Sequence, residues 1–95
     1  MDVVSCFRQR IKELRQEREL TLDMLVMDLN EKYPEMNVNK SMISRWESGK
    51  NDPTLGNAKI LSLYFNVSLD YLIGLTDVRT PSKLLANHMR KEEKQ

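Results

Sequence analysis

Apolar residues recur along the chain at helical spacing, in short runs separated by capping and turn residues. Phe7, Ile11 and Leu14 fall three or four apart among Arg, Lys, Glu and Gln, which predicts a first helix over 5–18. Leu20 follows as a packing residue. Thr21, with Asp23 two residues on, marks the start of a second helix whose apolar stripe is Leu22, Leu25, Val26 and Leu29. That helix ends near residue 32, because the residue before Pro34 is pushed out of the helical region. The polar stretch 31–37 reads as a loop or a frayed helix end. Asn39 caps a third segment, Lys40–Ser48, which Gly49 closes. Residues 50–53 form a turn, and Thr54 caps a fourth helix with Leu55, Ala58, Leu61 and Phe65 on one face. Ser68 caps a short fifth helix, with Asp70 in its first turn and Leu69, Leu72 and Ile73 to bury, stopped by Gly74.

Strand signals are nearly absent, since period-2 alternation never persists. The expected fold is therefore all-α, five short nonparallel helices over residues 1–75. Residues 76–95 form an extension, either a sixth helix or a flexible tail. Thr80 and Pro81 are a helix-start signal, Leu84, Leu85 and Met89 share a face, and the charged residues 90–95 are expected to fray.

The third segment carries the chemistry. On a helical wheel of about 100° per residue, Ile43 and Trp46 fall together and face a core. Ser41, Ser44, Arg45 and Ser48 fall opposite, with Lys40 beside them at the N-terminal end. A helix built only for stability would favour Glu, Lys and Ala on its wet face. Small hydroxyls with long cations instead allow close approach to a groove and hydrogen bonds to base edges, and the helix start suits a phosphate. A merely solvated amphipathic helix has the same composition, so on these residues alone both readings stand.

Composition narrows the classes. The 95 residues are 40% hydrophobic and 31% charged, an ordinary globular balance with a net charge of +1. Such a charge neither demands nor excludes nucleic acid, because binding depends on where the charges sit. A single cysteine, Cys6, excludes an internal disulfide and fits a reducing, cytoplasmic setting. One cysteine and one histidine, His88, argue against a structural zinc site, and no role is assigned to His88. The three glycines form no phosphate-cradling loop. No apolar run approaches a membrane span, and no spacing suggests a catalytic triad or a metal-bound acid–base pair. The chain is expected to be no enzyme, to need no cofactor or metal, and to bind no membrane.

The stretch Asn39-Lys40-Ser41-Met42-Ile43-Ser44-Arg45-Trp46-Glu47-Ser48-Gly49-Lys50-Asn51-Asp52-Pro53-Thr54-Leu55 resembles the recognition helix and following turn of the lambda-repressor/Cro-like helix-turn-helix family. Ile11-Lys12-Glu13-Leu14-Arg15 resembles that family's first helix, Leu20-Thr21-Leu22-Asp23-Met24-Leu25-Val26 its second, and Phe65-Asn66-Val67-Ser68-Leu69-Asp70-Tyr71-Leu72 its fourth-to-fifth junction. Four segments agree in order and spacing over residues 5–75. The resemblance implies that the second helix braces against the DNA backbone while the third enters the major groove. It makes Lys40, Ser41, Ser44 and Arg45 the candidate base readers, Arg45 first, since its fork matches guanine O6 and N7. Thr21, Asn39, Lys50 and Asn51 are the candidate backbone contacts. It also implies that Arg15 meets Glu47 as a structural ion pair holding the recognition helix at its angle.

Two departures stand out. Leu22 lies where many members carry a backbone-touching glutamine, so that contact is expected to be absent, or replaced by Thr21 through its hydroxyl or backbone N–H. The stretch 31–37 lengthens the usual tight turn by about seven residues; with Asp28 it is acidic, and it is expected to point away from DNA. Trp46 reads as a core anchor rather than a stacking platform. The six methionines read as adaptable core fillers, with Met42 near enough to the exposed face to meet a thymine methyl.

The function expected is a sequence-specific double-stranded-DNA-binding regulator of the small phage-repressor type, a repressor acting as a homodimer on two half-sites about one helical turn apart. Tyr64, Tyr71, Leu72, Ile73 and Leu75 are apolar residues in and after the last helices, some of them core and the rest available for pairing, as is the tail. The competing reading is a protein-interaction module of antitoxin or anti-repressor type, favoured by the near-neutral charge, the acidic insertion and the missing glutamine, and opposed by Lys40, Ser41 and Arg45.

Overall fold

A computed structural model describes residues 3–80; the expected sixth helix and the charged end lie outside the described residues. The described residues form five α-helices and no strand: α1 (Val3–Glu17), α2 (Leu22–Lys32), α3 (Lys40–Ser48), α4 (Leu55–Phe65) and α5 (Leu69–Leu72), with a 3-10 turn, Pro34–Met36, between α2 and α3. Helix α3 packs against α1 and α2, and α5 packs against α1 and α4. Ile11, Leu25, Leu29, Ile43, Leu61 and Leu72 are fully buried, so four of the five helices and the short fifth all meet in one core. Phe7, Leu14, Trp46 and Phe65 complete it.

The helix starts follow the polar capping residues. Thr21, Asn39, Thr54 and Ser68 each accept a hydrogen bond from the backbone N–H three residues on, satisfying one of the orphan donors of a first turn. The helix ends share a second device. A residue in the left-handed region lets the next N–H reach back five positions: Lys50 to the Arg45 carbonyl (3.0 Å), Val67 to Ser62 (3.0 Å), Leu75 to Asp70 (2.9 Å). Gly49 and Gly74 supply that conformation without steric cost, and Asn66 supplies it for α4. Gly74 is doubly constrained, because a Cβ there would stand 2.8 Å from the Cys6 side chain. Helix α1 ends the same way with Glu19 left-handed (φ 57°), a residue type that carries no such signal, which is why the helix stops at Glu17 rather than Arg18.

Two sequence expectations are corrected, for the methionines and Leu55, and a third, on the residues offered for pairing, is resolved. Among the methionines, Met36 is buried and Met42 half-buried, but Met24 and Met27 are 48% and 73% exposed on the outer side of α2. Leu55 is 77% exposed, because the cap at Thr54 leaves the first residue of α4 beyond the edge of the core. Of the apolar residues offered for pairing, Tyr64, Tyr71 and Leu72 are core, Ile73 is half-buried, and Leu75 is exposed with Val78 beside it in sequence.

The stretch 31–37 is ordered rather than frayed. Asn37, left-handed, turns the chain so that Met36 and Val38 are buried. Asn30 clasps it: its amide donates to the Val38 carbonyl (2.8 Å) and its carbonyl oxygen accepts from the Val38 N–H (2.9 Å). One side chain thus stands in for a strand partner and fixes where α3 begins.

Residues after α5 return to α1. Arg10 lies over the Tyr71 ring, donates to the backbone carbonyls of Tyr71 and Thr76, and pairs with Asp77 at 2.6 Å. Arg79 makes a two-pronged pair with Glu17 (2.7 and 2.8 Å) and donates to the Tyr71 hydroxyl. These bonds hold the Glu17 carboxyl below its usual range, chiefly through the Arg79 guanidinium.

Candidate nucleic-acid interface

Helix α3 turns two faces in opposite directions. Ile43 and Trp46 are buried, which commits the rest of this short helix to a fixed orientation. Lys40, Ser41, Ser44 and Arg45 are all exposed, together on the outer side. Its start is organised by the exposed Asn39, whose Oδ1 accepts from the Met42 N–H at 2.9 Å. Its end is organised by Gly49, after which Lys50 and Asn51 stand exposed in the turn leading to α4. Thr21 is exposed at the start of α2, its hydroxyl oxygen accepting from the Met24 N–H at 3.1 Å. Leu22 is half-buried against the core, so the position lacks both the polar group and the reach of a backbone-contacting glutamine.

Arg15 and Glu47 form a two-pronged ion pair between α1 and α3. Arg15 Nε donates to Glu47 Oε2 at 2.7 Å and Nη2 to Oε1 at 2.9 Å, while Nη1 donates to the Leu20 carbonyl at 2.8 Å. The side chains are 13% and 9% exposed, and the carboxylate raises the Arg15 pKa above its ordinary value. This fork joins the last turn of α1 to the last turn of α3 and, through Leu20, to the loop entering α2. A buried ion pair favours one geometry over others because any rearrangement strands a charge.

Two features of this face gave no sequence signal. The aliphatic part of Arg8 packs beside Gly49, and its guanidinium donates to the Ser48 carbonyl at 3.4 Å, placing a cation at the C-terminal end of α3. Lys40 Nζ lies 3.7 Å from Asp23 Oδ2, linking the first turns of α2 and α3. Both are pairings between residues distant in sequence, which periodicity cannot show. Among the described residues, Arg45 and Lys50 take part in no ion pair.

Other chemistry is thin. No group of three or more His, Cys, Asp or Glu among the described residues could hold a metal. A polar cavity of about 330 Å³ lies between α1 and the returning segment, lined by Cys6, Gln9, Arg10, Tyr71 and Arg79 among others, but its two guanidinium groups are already committed to Asp77 and Glu17. No helix among the described residues is long and apolar enough to cross a membrane.

Helices α2 and α3 pack together, and the second carries an exposed face of cations and hydroxyls, the arrangement expected of a helix-turn-helix. Residues 34–72 match the family model described as helix-turn-helix. The chain is 33% identical over 67 residues to the HTH-type transcriptional activator BcrR of Enterococcus faecalis, covering 70% of this chain and 29% of that protein. It is 32% identical over 73 residues to an uncharacterized HTH-type transcriptional regulator, YobD, of Bacillus subtilis, covering 77% of this chain and 59% of that one. The match thus spans less than two thirds of either relative. No solved structure matches the chain. Over residues 34–72 the chain is thus similar to the helix-turn-helix family, and both of these relatives are named as HTH-type transcriptional regulators.

Proposed function

We propose that the protein reads a specific double-stranded DNA operator by placing α3 in the major groove. The observation that carries this is the division of α3: Ile43 and Trp46 anchor it, and Lys40, Ser41, Ser44 and Arg45 are presented together on the other side. In this reading Arg45 reads guanine and Lys40, Ser41 and Ser44 meet neighbouring base edges. Thr21, Asn39, Lys50 and Asn51 hold phosphates, fixing register without carrying sequence information. Arg15 and Glu47 set the helix angle. The protein acts as a homodimer, because a nine-residue helix touches few base pairs and two half-sites multiply the discrimination. Binding over a promoter represses it; the relative named an activator supports activation when the operator lies upstream, and a reporter carrying the site in either place separates the two.

The interaction-module reading keeps Glu31 and Glu35, which are exposed and in no ion pair among the described residues, but Asp28 less so. Asp28 is engaged by the Tyr64 hydroxyl and by Lys32, so among the described residues it is the one acid of that region already partnered within the domain.

Selection of random duplexes, followed by titrations across salt, tests the proposal. The expected result is a palindromic site with half-sites about 10 base pairs apart. Arg45→Ala should cost about 1–3 kcal/mol and relax preference at one position of the half-site. Lys50→Ala should weaken binding to all sequences alike and flatten the salt slope by about one unit per site. Equal affinity of the parent and Arg45→Ala for the selected duplex would overturn the assignment of α3.

A further inference from the structure

The charges at the two helix starts point to a device within this same face, and the argument rests on the DNA-reading proposal above. Asp23 and Lys40 sit in the first turns of α2 and α3, with the carboxylate 3.7 Å from the ammonium. Both side chains are open to water, at 71% and 61% exposure. A carboxylate beside a DNA-facing helix is unfavourable toward phosphates, so its presence there calls for a use. The positive end of α2 accounts for why a carboxylate is tolerated in that first turn, but not for its pairing with a residue of α3. Lys40 differs here from its neighbours on the same face, since Arg45 and Lys50 are in no ion pair among the described residues.

We propose that Asp23 is a positioning and specificity-determining residue: it tethers Lys40 at the mouth between α2 and α3 and cancels its charge toward phosphates. Lysine is a compact charge on a long flexible stem and would otherwise reach the nearest phosphate of any duplex. Held by Asp23, it adds little sequence-independent attraction. A pair this exposed is weak, so a well-placed base-edge acceptor displaces the carboxylate readily, and a phosphate of arbitrary position displaces it less often. The correct operator supplies that acceptor; a scrambled duplex does not. Asp23 thus lowers affinity for wrong DNA more than for right DNA, which is discrimination by penalising the alternative.

The test uses the whole chain and two duplexes, the selected operator and a scrambled sequence of equal length, titrated at several salt concentrations. Asp23→Asn should bind the scrambled duplex about three- to fivefold more tightly, the range expected for one released surface charge. Its scrambled-duplex salt slope should steepen by about 0.9, one more phosphate neutralised. The gain on the operator should be smaller, so the ratio between the two narrows. Asp23→Glu, which keeps the charge, should stay near the parent. In a Lys40→Ala background, Asp23→Asn should no longer narrow the ratio. Unchanged scrambled-duplex affinity and slope in Asp23→Asn would overturn the inference. So would the same narrowing with Lys40 absent, since Asp23 would then act by simple repulsion. If the parent binds no duplex, the DNA reading itself falls, and this inference with it.

Discussion

Arg15→Ala should be among the most damaging single substitutions in the domain, and the structure says why. The guanidinium makes three hydrogen bonds, two to the Glu47 carboxylate at 2.7 and 2.9 Å and one to the Leu20 carbonyl at 2.8 Å. With the side chains 13% and 9% exposed, water cannot easily take over when the arginine is removed. Truncation therefore leaves a nearly buried carboxylate and a loop carbonyl without their donor. Breaking a buried pair from one side costs about 3–5 kcal/mol. A domain of this length has roughly 5–14 kcal/mol in total, so the loss is a large fraction of it. At about 4–8 °C per kcal/mol, the midpoint of thermal unfolding should fall by at least about 12 °C. Circular dichroism, with Trp46 fluorescence as a second probe, reads it directly. The double variant Arg15→Met/Glu47→Leu isolates the cause: removing both charges removes the stranded one, and most of the loss should return. An Arg15→Ala midpoint within a few degrees of the parent would refute the reasoning, because the carboxylate would then have found water or another donor.

The Asn30 clasp should be worth about 1–3 kcal/mol, since Asn30→Ala removes two hydrogen bonds and leaves both backbone groups of Val38 without partners; urea unfolding checks it, and a change below the error of the method would count against the clasp. Tyr64 makes stability depend on pH at the alkaline end. Burial, aided by the Asp28 carboxylate, pushes its hydroxyl up to about 12. The folded state therefore holds that proton more tightly than the unfolded chain. The associated stability, on the order of 2–3 kcal/mol, is complete below pH 10 and is lost as pH rises from about 10 to about 12. Tyr64→Phe should lack this loss, so the parent and variant melting curves should converge over that interval; parallel curves would exclude the coupling. Asp28 gives the opposite sign. Its carboxyl is held below the usual range, first by the Tyr64 hydroxyl, so its contribution is present above about pH 4 and fades as pH falls further.

Much of the fold was legible because it is written in local chemistry. A capping side chain bonds three residues ahead, so Thr21, Asn39, Thr54 and Ser68 mark helix starts within a span a reader of sequence can see. Burial of Phe7, Ile11, Leu14, Ile43 and Trp46 follows from spacing for the same reason. The misses have physical causes too. Glu19 adopts a left-handed conformation because Leu20 must turn back onto Arg15, a demand set by tertiary packing rather than by the preference of glutamate. Leu55 looked like a core residue by period alone, but position along the helix axis, not only angle around it, decides burial. Met24 and Met27 show the limit of composition, which says what a side chain can fill and not where a cavity lies. Asn30, Arg10 and Arg79 bond across loops or to residues more than sixty positions away, and such pairings leave no periodic trace.

The charge balance is better understood as a partition than as a sum. A net charge of +1 reads as weak evidence for a nucleic-acid partner. The structure separates the cations into two sets. Arg10, Arg15 and Arg79 are bound to Asp77, Glu47 and Glu17, and Lys32 to Asp28, so these cations and their acids largely cancel as internal fastenings. Arg18 lies over the rings of Tyr64 and Phe65 and serves packing as much as charge. What is left along α3 and the turn behind it is Lys40, Arg45 and Lys50, with two carboxylates near them, Asp23 set against Lys40 and Asp52 exposed in the turn. A near-neutral chain can therefore present more cations than acids on one face, because many of its acids lie elsewhere, several of them in fastening pairs. The same partition explains why fastening and reading residues should separate by assay. Loss of Arg15 or Glu47 should appear first in stability. Loss of Arg45 or Lys50, exposed and in no ion pair among the described residues, should leave stability nearly untouched and appear in binding.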